Sequence, residues 1–130
     1  MIVLDASAAV DLLLNLPPHT KAIAQRVAKT PAIAAPHLLD AEVGQALRRL
    51  VHAGKIDEAT ALAALADLAD LPITRYAHGP LLPGALALRN NVTVYDAIYL
   101  VLAEALGATL LTCHGALEKV PGQRAKVHVL

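Results

Sequence analysis

The chain has 130 residues and no net charge, with 11 basic and 11 acidic side chains. That length suits one domain of ordinary size, and the neutral balance excludes a polycation held to nucleic acid or membrane by bulk charge. Apolar residues make up 56% of the chain without a single Phe or Trp. Such a composition excludes intrinsic disorder and leaves aliphatic side chains to build the core.

The lone cysteine, Cys113, permits no internal disulfide and no multi-cysteine zinc site. The opening Met1–Asp5 lacks the basic region of a secretory signal. No uncharged apolar run reaches the ~18 residues of a membrane-spanning helix. These features describe a soluble, cytoplasmic chain without a membrane partner.

Short β-branched runs alternate with longer helical patterns. Ile2–Leu4 reads as a buried strand, followed by a helix from Ala6 to Leu14 that stops at Asn15 and Pro17-Pro18. His19–Lys29 is amphipathic, with Ile23 and Val27 on one face. Pro31–Ala35 is a weak strand closed by Pro36. A helix runs from His37 to Ala53, ended by Gly54 in the position that takes left-handed geometry. Asp57–Leu71 is another helix, with Leu62, Leu65, Leu68 and Ala69 expected on its packed face. Pro72–Tyr76 is a strand, Pro80–Arg89 a helix, and Asn90-Asn91 a turn. Val94–Leu106 is a helix stopped at Gly107, and Ala108–Leu111 a strand. A short helix begins near Gly115, and Val127–Val129 is a last strand.

Strands separated by helices imply parallel pairing through right-handed crossovers. The expected fold is α/β in three layers, a small parallel sheet of four to five strands flanked by helices, in one domain over residues 1–130. Sites in such sheets lie beyond the carboxyl ends of the strands. Asp5 and Thr112-Cys113-His114 occupy two of those ends. Asp5 is equally suited to cap the helix that follows.

Asp96 is the more informative acid. Its helix is apolar almost all round, with only Asp96 and Glu104 charged, and such a helix is normally buried. A carboxylate there must be paired, hydrogen-bonded, metal-bound or protonated. Thr93 and Asp96 also fit a capping box, which would give the acid a purely local role. Glu42 falls at the border of its helix's apolar face, beside Gln45 and Arg49. Acids that converge without basic partners repel one another and call for a hard cation such as Mg²⁺ or Mn²⁺.

At these residues the sequence resembles the PIN-domain family, in particular the VapC-type toxins of toxin–antitoxin pairs. Ile2-Val-Leu-Asp5-Ala-Ser7 resembles the family's first strand with its acid, and Pro36-His-Leu-Leu-Asp-Ala-Glu42 its helix-borne Glu. Tyr95-Asp96-Ala-Ile-Tyr99 with Ala103-Glu104 resembles its most recognisable motif. Ala108–Leu117 resembles the stretch that normally carries a fourth acid. The resemblance implies a metal-dependent endoribonuclease that hydrolyses RNA phosphodiester bonds and leaves a 5′-phosphate. It implies Asp5, Glu42 and Asp96 as catalytic acids, with Asp5 and Asp96 as metal ligands to Mg²⁺ or Mn²⁺. Ser7 and Thr112 would support them by hydrogen bonding. It further implies a homodimer and a cognate VapB-type antitoxin.

His114 stands where the family usually has Asp. Three readings stay open: three acids suffice for one metal, His114 ligates Mn²⁺ or touches phosphate, or the enzyme is impaired. The last describes an alternative function, a PIN-like module that binds antitoxin or RNA without cutting. Arg48-Arg49, His52 and Lys55 are the one compact basic run, and Arg49 shares the Glu42 edge and can reach RNA phosphate. A stacking platform for single-stranded bases requires Tyr95 or Tyr99 to be exposed. The first two helices and Leu81-Leu82 are candidates for an exposed apolar stripe. A phospho-receiver domain is disfavoured, since Asp5 has no neighbouring acid. A Rossmann nucleotide binder is disfavoured too, since no glycine-rich loop follows the first strand.

Overall fold

β1 (Ile2–Leu4) lies at the centre of a five-stranded sheet and is buried throughout. The computed structural model describes residues 1–130. The other strands are β2 (Ile33–Pro36), β3 (Ile73–Tyr76), β4 (Thr109–Thr112) and β5 (Lys126–Val129). Every pairing is parallel, in the order β3-β2-β1-β4-β5. The register sets Val3 opposite Ala34 on one side and Leu110 on the other. The helices are α1 (Ala6–Leu13), α2 (Thr20–Lys29), α3 (Leu38–His52), α4 (Glu58–Asp70), α5 (Leu82–Ala87) and α6 (Val94–Leu106).

Chirality assigns the layers. The chain steps from β1 to β2 to β3 toward one edge, so right-handed crossovers put α1 through α4 on one face. From β3 it returns past β2 and β1 to β4, which puts α5 and α6 on the other face. α6 accordingly packs on β1, β2 and β4, while α1 packs on α2, α3 and α4. Strand order reverses between β1 and β4, and ligand crevices form at the carboxyl side of such a switch point.

The core is aliphatic, as the composition requires. Leu4, Leu39, Leu47, Leu100, Leu102, Leu110 and Leu111 are among its largest fully buried members, with Tyr99 the one aromatic. α6 has the bounds expected from its ends: Thr93 caps it through its hydroxyl, and Gly107 closes it at φ 61°. Gly107→Ala forces a Cβ into this left-handed cap and is expected to lower the unfolding free energy by about 1 kcal/mol. Denaturant unfolding checks this; an unchanged midpoint would show that the cap has no such requirement.

Three expectations need correction, on α4, on the Pro80–Arg89 helix and on the first two helices. α4 turns Ala64 and Leu68 to the core, while Leu62 and Leu65 are exposed. An Ala-Leu helix with apolar residues on nearly every side does not reveal its packed face by periodicity. The Pro80–Arg89 helix is instead a 3₁₀ turn at Gly79–Leu81 followed by the two-turn α5. Pro83 lacks an N–H to continue a longer helix, so it sits in the first turn of a new one. α1 and α2 carry no exposed apolar stripe; the exposed large side chains there reduce to Leu16, between them, whereas Leu82 and Leu86 on α5 are open. Tyr99 is buried and offers no stacking face, leaving exposed Tyr95 as the only member of that pair available to a base.

Candidate metal centre

The switch point carries a cleft of about 450 Å³. Asp5, Ser7, Glu42, Arg49, Asp96 and His114 all line it, as do Asp11, Tyr99 and Cys113. Four parts of the chain supply these groups: α1 with the residue before it, α3, the first half of α6 and the tip of β4.

Asp5 does both things the sequence left open. It is the N-cap of α1, with Oδ1 accepting the Ala8 N–H at 3.0 Å and the Ser7 hydroxyl at 2.7 Å. Its Oδ2 accepts the buried Thr112 hydroxyl at 2.5 Å. Thr112 ends β4 rather than following it, and its oxygen also accepts the His114 N–H at 2.9 Å. Ser7 accepts the Cys113 N–H at 3.0 Å. The tips of β1 and β4 are thereby tied through Asp5, Ser7 and Thr112.

Glu42 is half-buried and accepts the Tyr99 hydroxyl at 2.6 Å. Burial raises its pKa above the ordinary carboxylate value, and the nearby charges of Asp96 and Asp5 push the same way against the Tyr99 hydrogen bond and His114. Burial also raises Asp96, with Asp5 adding to the shift and His114 opposing it. The Tyr99 hydroxyl is in turn driven well above its usual pKa by burial and by Glu42. The three carboxylates line the same cleft. Neither salt bridge in the molecule involves them: Arg75 is taken by Asp40, and His19 faces Asp11.

Asp96 is not consumed by a capping box. Its N–H donates to Thr93 Oγ1 at 3.2 Å, but its carboxylate accepts no hydrogen bond from the protein. Its pKa is raised by burial and by another acid, and only partly countered by an exposed histidine. Three clustered carboxylates with no Lys or Arg partner suit a hard divalent cation, which takes oxygen ligands and relieves their repulsion.

Sequence reasoning missed three residues of this cleft or its wall. Tyr99 follows Asp96 by three positions and so shares its helix face, a signal that was available. Asp11 and His19 carried no signal, because only the fold brings them to Cys113. The thiol donates to Asp11 Oδ2 at 3.3 Å. Burial and that acid push its pKa up to about 12. Glu118 is exposed on the 3₁₀ turn after β4 and does not line the cleft.

The PIN domain model matches residues 2–123. The chain belongs to the PIN-domain family. Proteins named ribonuclease VapC are among its relatives. It is 45% identical over 130 residues to ribonuclease VapC1 of Mycobacterium tuberculosis, covering 98% of this chain and 96% of that one. Its fold is similar to the crystal structure of M. tuberculosis VapC20, a Sarcin-Ricin loop cleaving toxin, with a TM-score of 0.74 at 15% identity over 95% of this chain and 97% of that one. It is likewise similar to a chain in the crystal structure of VapBC2 from Rickettsia felis bound to a fragment of promoter DNA, with a TM-score of 0.72 at 16% identity over 100% and 99% of the two chains. As a VapC-type PIN domain, the chain places Asp5 beyond the carboxyl end of β1, Glu42 on α3 and Asp96 on α6, with His114 rather than an acid beyond β4. No helix is long and apolar enough to cross a membrane.

Proposed function

We propose that this protein is the toxin of a VapBC pair, a metal-dependent endoribonuclease that hydrolyses RNA phosphodiester bonds. The observation that supports it best is the convergence of Asp5, Glu42 and Asp96 in one cleft without a basic partner. The name of VapC1, a close relative over the whole chain, points to the same activity.

Asp5 and Asp96 are the proposed metal ligands, and Glu42 the third catalytic acid. When bound, Mg²⁺ or Mn²⁺ would activate water and neutralise charge on the phosphate. Ser7 and Thr112 hold Asp5 with its carboxylate fixed, which limits the reorganisation needed on binding. Tyr99 fixes Glu42 in the same way. Arg49, exposed on the cleft rim, presents donors to an RNA phosphate. With Tyr99 buried, the cleft is better suited to RNA recognised by shape than to stacked single strands.

His114 stands on the cleft wall where the family usually has an acid, close enough to Asp96 and Glu42 to influence both. Nitrogen suits Mn²⁺ better than Mg²⁺. Cleavage in Mn²⁺ is therefore expected to equal or exceed that in Mg²⁺, and His114→Ala to remove the manganese advantage. Rates of RNA cleavage in each ion test this. A clear Mg²⁺ preference, undiminished in His114→Ala, would remove His114 from the ligand set. Absence of cleavage in both ions would favour the second reading, a PIN-like module that binds antitoxin or RNA without cutting.

The proposed partners are a VapB-type antitoxin and a second copy of the chain. Leu82 and Leu86 on α5 and Tyr95 at the start of α6 are exposed, as interface anchors would be in the free chain.

A further inference from the structure

We propose that Asp11, His19 and Cys113 form a zinc site on the wall of the cleft, separate from the carboxylate cluster. They come from the end of α1, the residue preceding α2 and the tip of β4. Asp11 Oδ2 lies 3.3 Å from His19 Nδ1 and 3.3 Å from Cys113 Sγ. All three ligand atoms fall within 4.8 Å of one another. Zinc bonds of roughly 2.1–2.3 Å at tetrahedral angles separate neighbouring ligand atoms by about 3.3–3.6 Å. Two of the three edges thus already have zinc dimensions, and the third needs at most a small side-chain rotation.

A second observation is independent of those distances. His19 Nδ1 is shielded from solvent, yet it has no hydrogen-bond partner. It faces Asp11 Oδ2 at a suitable distance but not along a hydrogen-bond direction. A shielded ring nitrogen that makes no hydrogen bond is uncommon, and the misaligned contact with Asp11 replaces the lost water only in part. A metal lone-pair acceptor satisfies it.

The donors also select the ion. Imidazole and thiolate favour zinc over the hard cations that suit the Asp5–Glu42–Asp96 group. Three protein ligands leave the fourth tetrahedral position for water. On coordination the thiol proton passes to solvent. Cys113 also donates its N–H to Ser7, which holds Asp5, so an ion here braces the wall of the neighbouring site.

Cobalt(II) is the probe, added to the full chain after removal of metals with EDTA. Wild type is expected to bind it with a near-ultraviolet thiolate-to-cobalt charge-transfer band, which one equivalent of zinc abolishes. Cys113→Ser is expected to lose the band, and His19→Ala and Asp11→Asn to weaken zinc binding by about tenfold or more. Asp96→Asn is expected to keep the band, because its site is a different one. Absence of the band in wild type would overturn the proposal. So would equal zinc affinity in wild type and His19→Ala, a substitution outside the core that tests the site even if Cys113→Ser fails to fold.

Discussion

Asp96→Asn is expected to abolish RNA cleavage and, in the same molecule, to raise thermal stability when metal is removed. The stability half follows from linkage. The Asp96 pKa in the fold lies above its unfolded value, near 3.8, chiefly through burial and then through Asp5, with His114 only partly offsetting them. A raised folded value means that the fold favours the protonated acid. That contribution is complete below the unfolded pKa and is lost as pH rises through the folded one. At neutral pH the free carboxylate therefore works against folding, and a neutral amide of the same shape does not. The dipole of α6 favours a negative charge in its first turn, but the direction of the shift is upward because burial outweighs the attraction of His114. The N-cap survives, since Thr93 accepts from the backbone of residue 96.

The activity half follows from the proposed ligand role. Losing one anionic ligand is expected to slow cleavage by about a thousandfold, equivalent to roughly 4 kcal/mol of barrier. Thermal unfolding in EDTA at neutral pH should rank Asp96→Asn above wild type, and the gap should close well below pH 3.8, the unfolded value. Saturating Mn²⁺ should stabilise wild type more than the variant, because only what binds the folded state adds stability. Cleavage at the wild-type rate would sink the site assignment; a variant less stable in EDTA would show that Asp96 is a structural acid.

The fold was legible where chain termini of elements carry strong chemistry. Thr93 and Gly107 delimit α6, and Ile2–Leu4 followed by Asp5 marks β1 and its cap. The face of α4 was not legible, because alternating Ala and Leu leave its apolar residues on all sides. Asp5, Glu42 and Asp96 could each be singled out by local context. Their meeting could not, since spacing along the chain does not contain the order β3-β2-β1-β4-β5. That order puts the tips of β1 and β4 together and brings α6 back over them. The Asp11–His19–Cys113 group had no sequence signature for the same reason: its members lie on segments made adjacent by the sheet and by the α1–α2 connection.

Replacing Asp5 in two ways is expected to separate its capping role from its proposed role at the metal. Asn is as good an N-cap as Asp. In Asp5→Asn the side-chain oxygen still accepts the Ala8 N–H, and the amide group can donate to the Thr112 hydroxyl. Thr112 in turn still accepts from the His114 N–H, so the β4 tip keeps its shape. Asp5→Ala removes the cap, at about 1 kcal/mol, and strands the buried Thr112 hydroxyl, at a further 1–3 kcal/mol or so. Unfolding in EDTA should therefore show Asp5→Ala destabilised by about 2–4 kcal/mol, and Asp5→Asn by about 1 kcal/mol or less. Cleavage should be lost in both, because neither supplies the second anionic oxygen that a hard cation takes from this position. A stable Asp5→Asn protein that still cuts RNA at the wild-type rate would reduce Asp5 to a helix cap. An Asp5→Asn protein as unstable as Asp5→Ala would show that the charge itself, rather than the cap geometry, holds the β1 and β4 tips together.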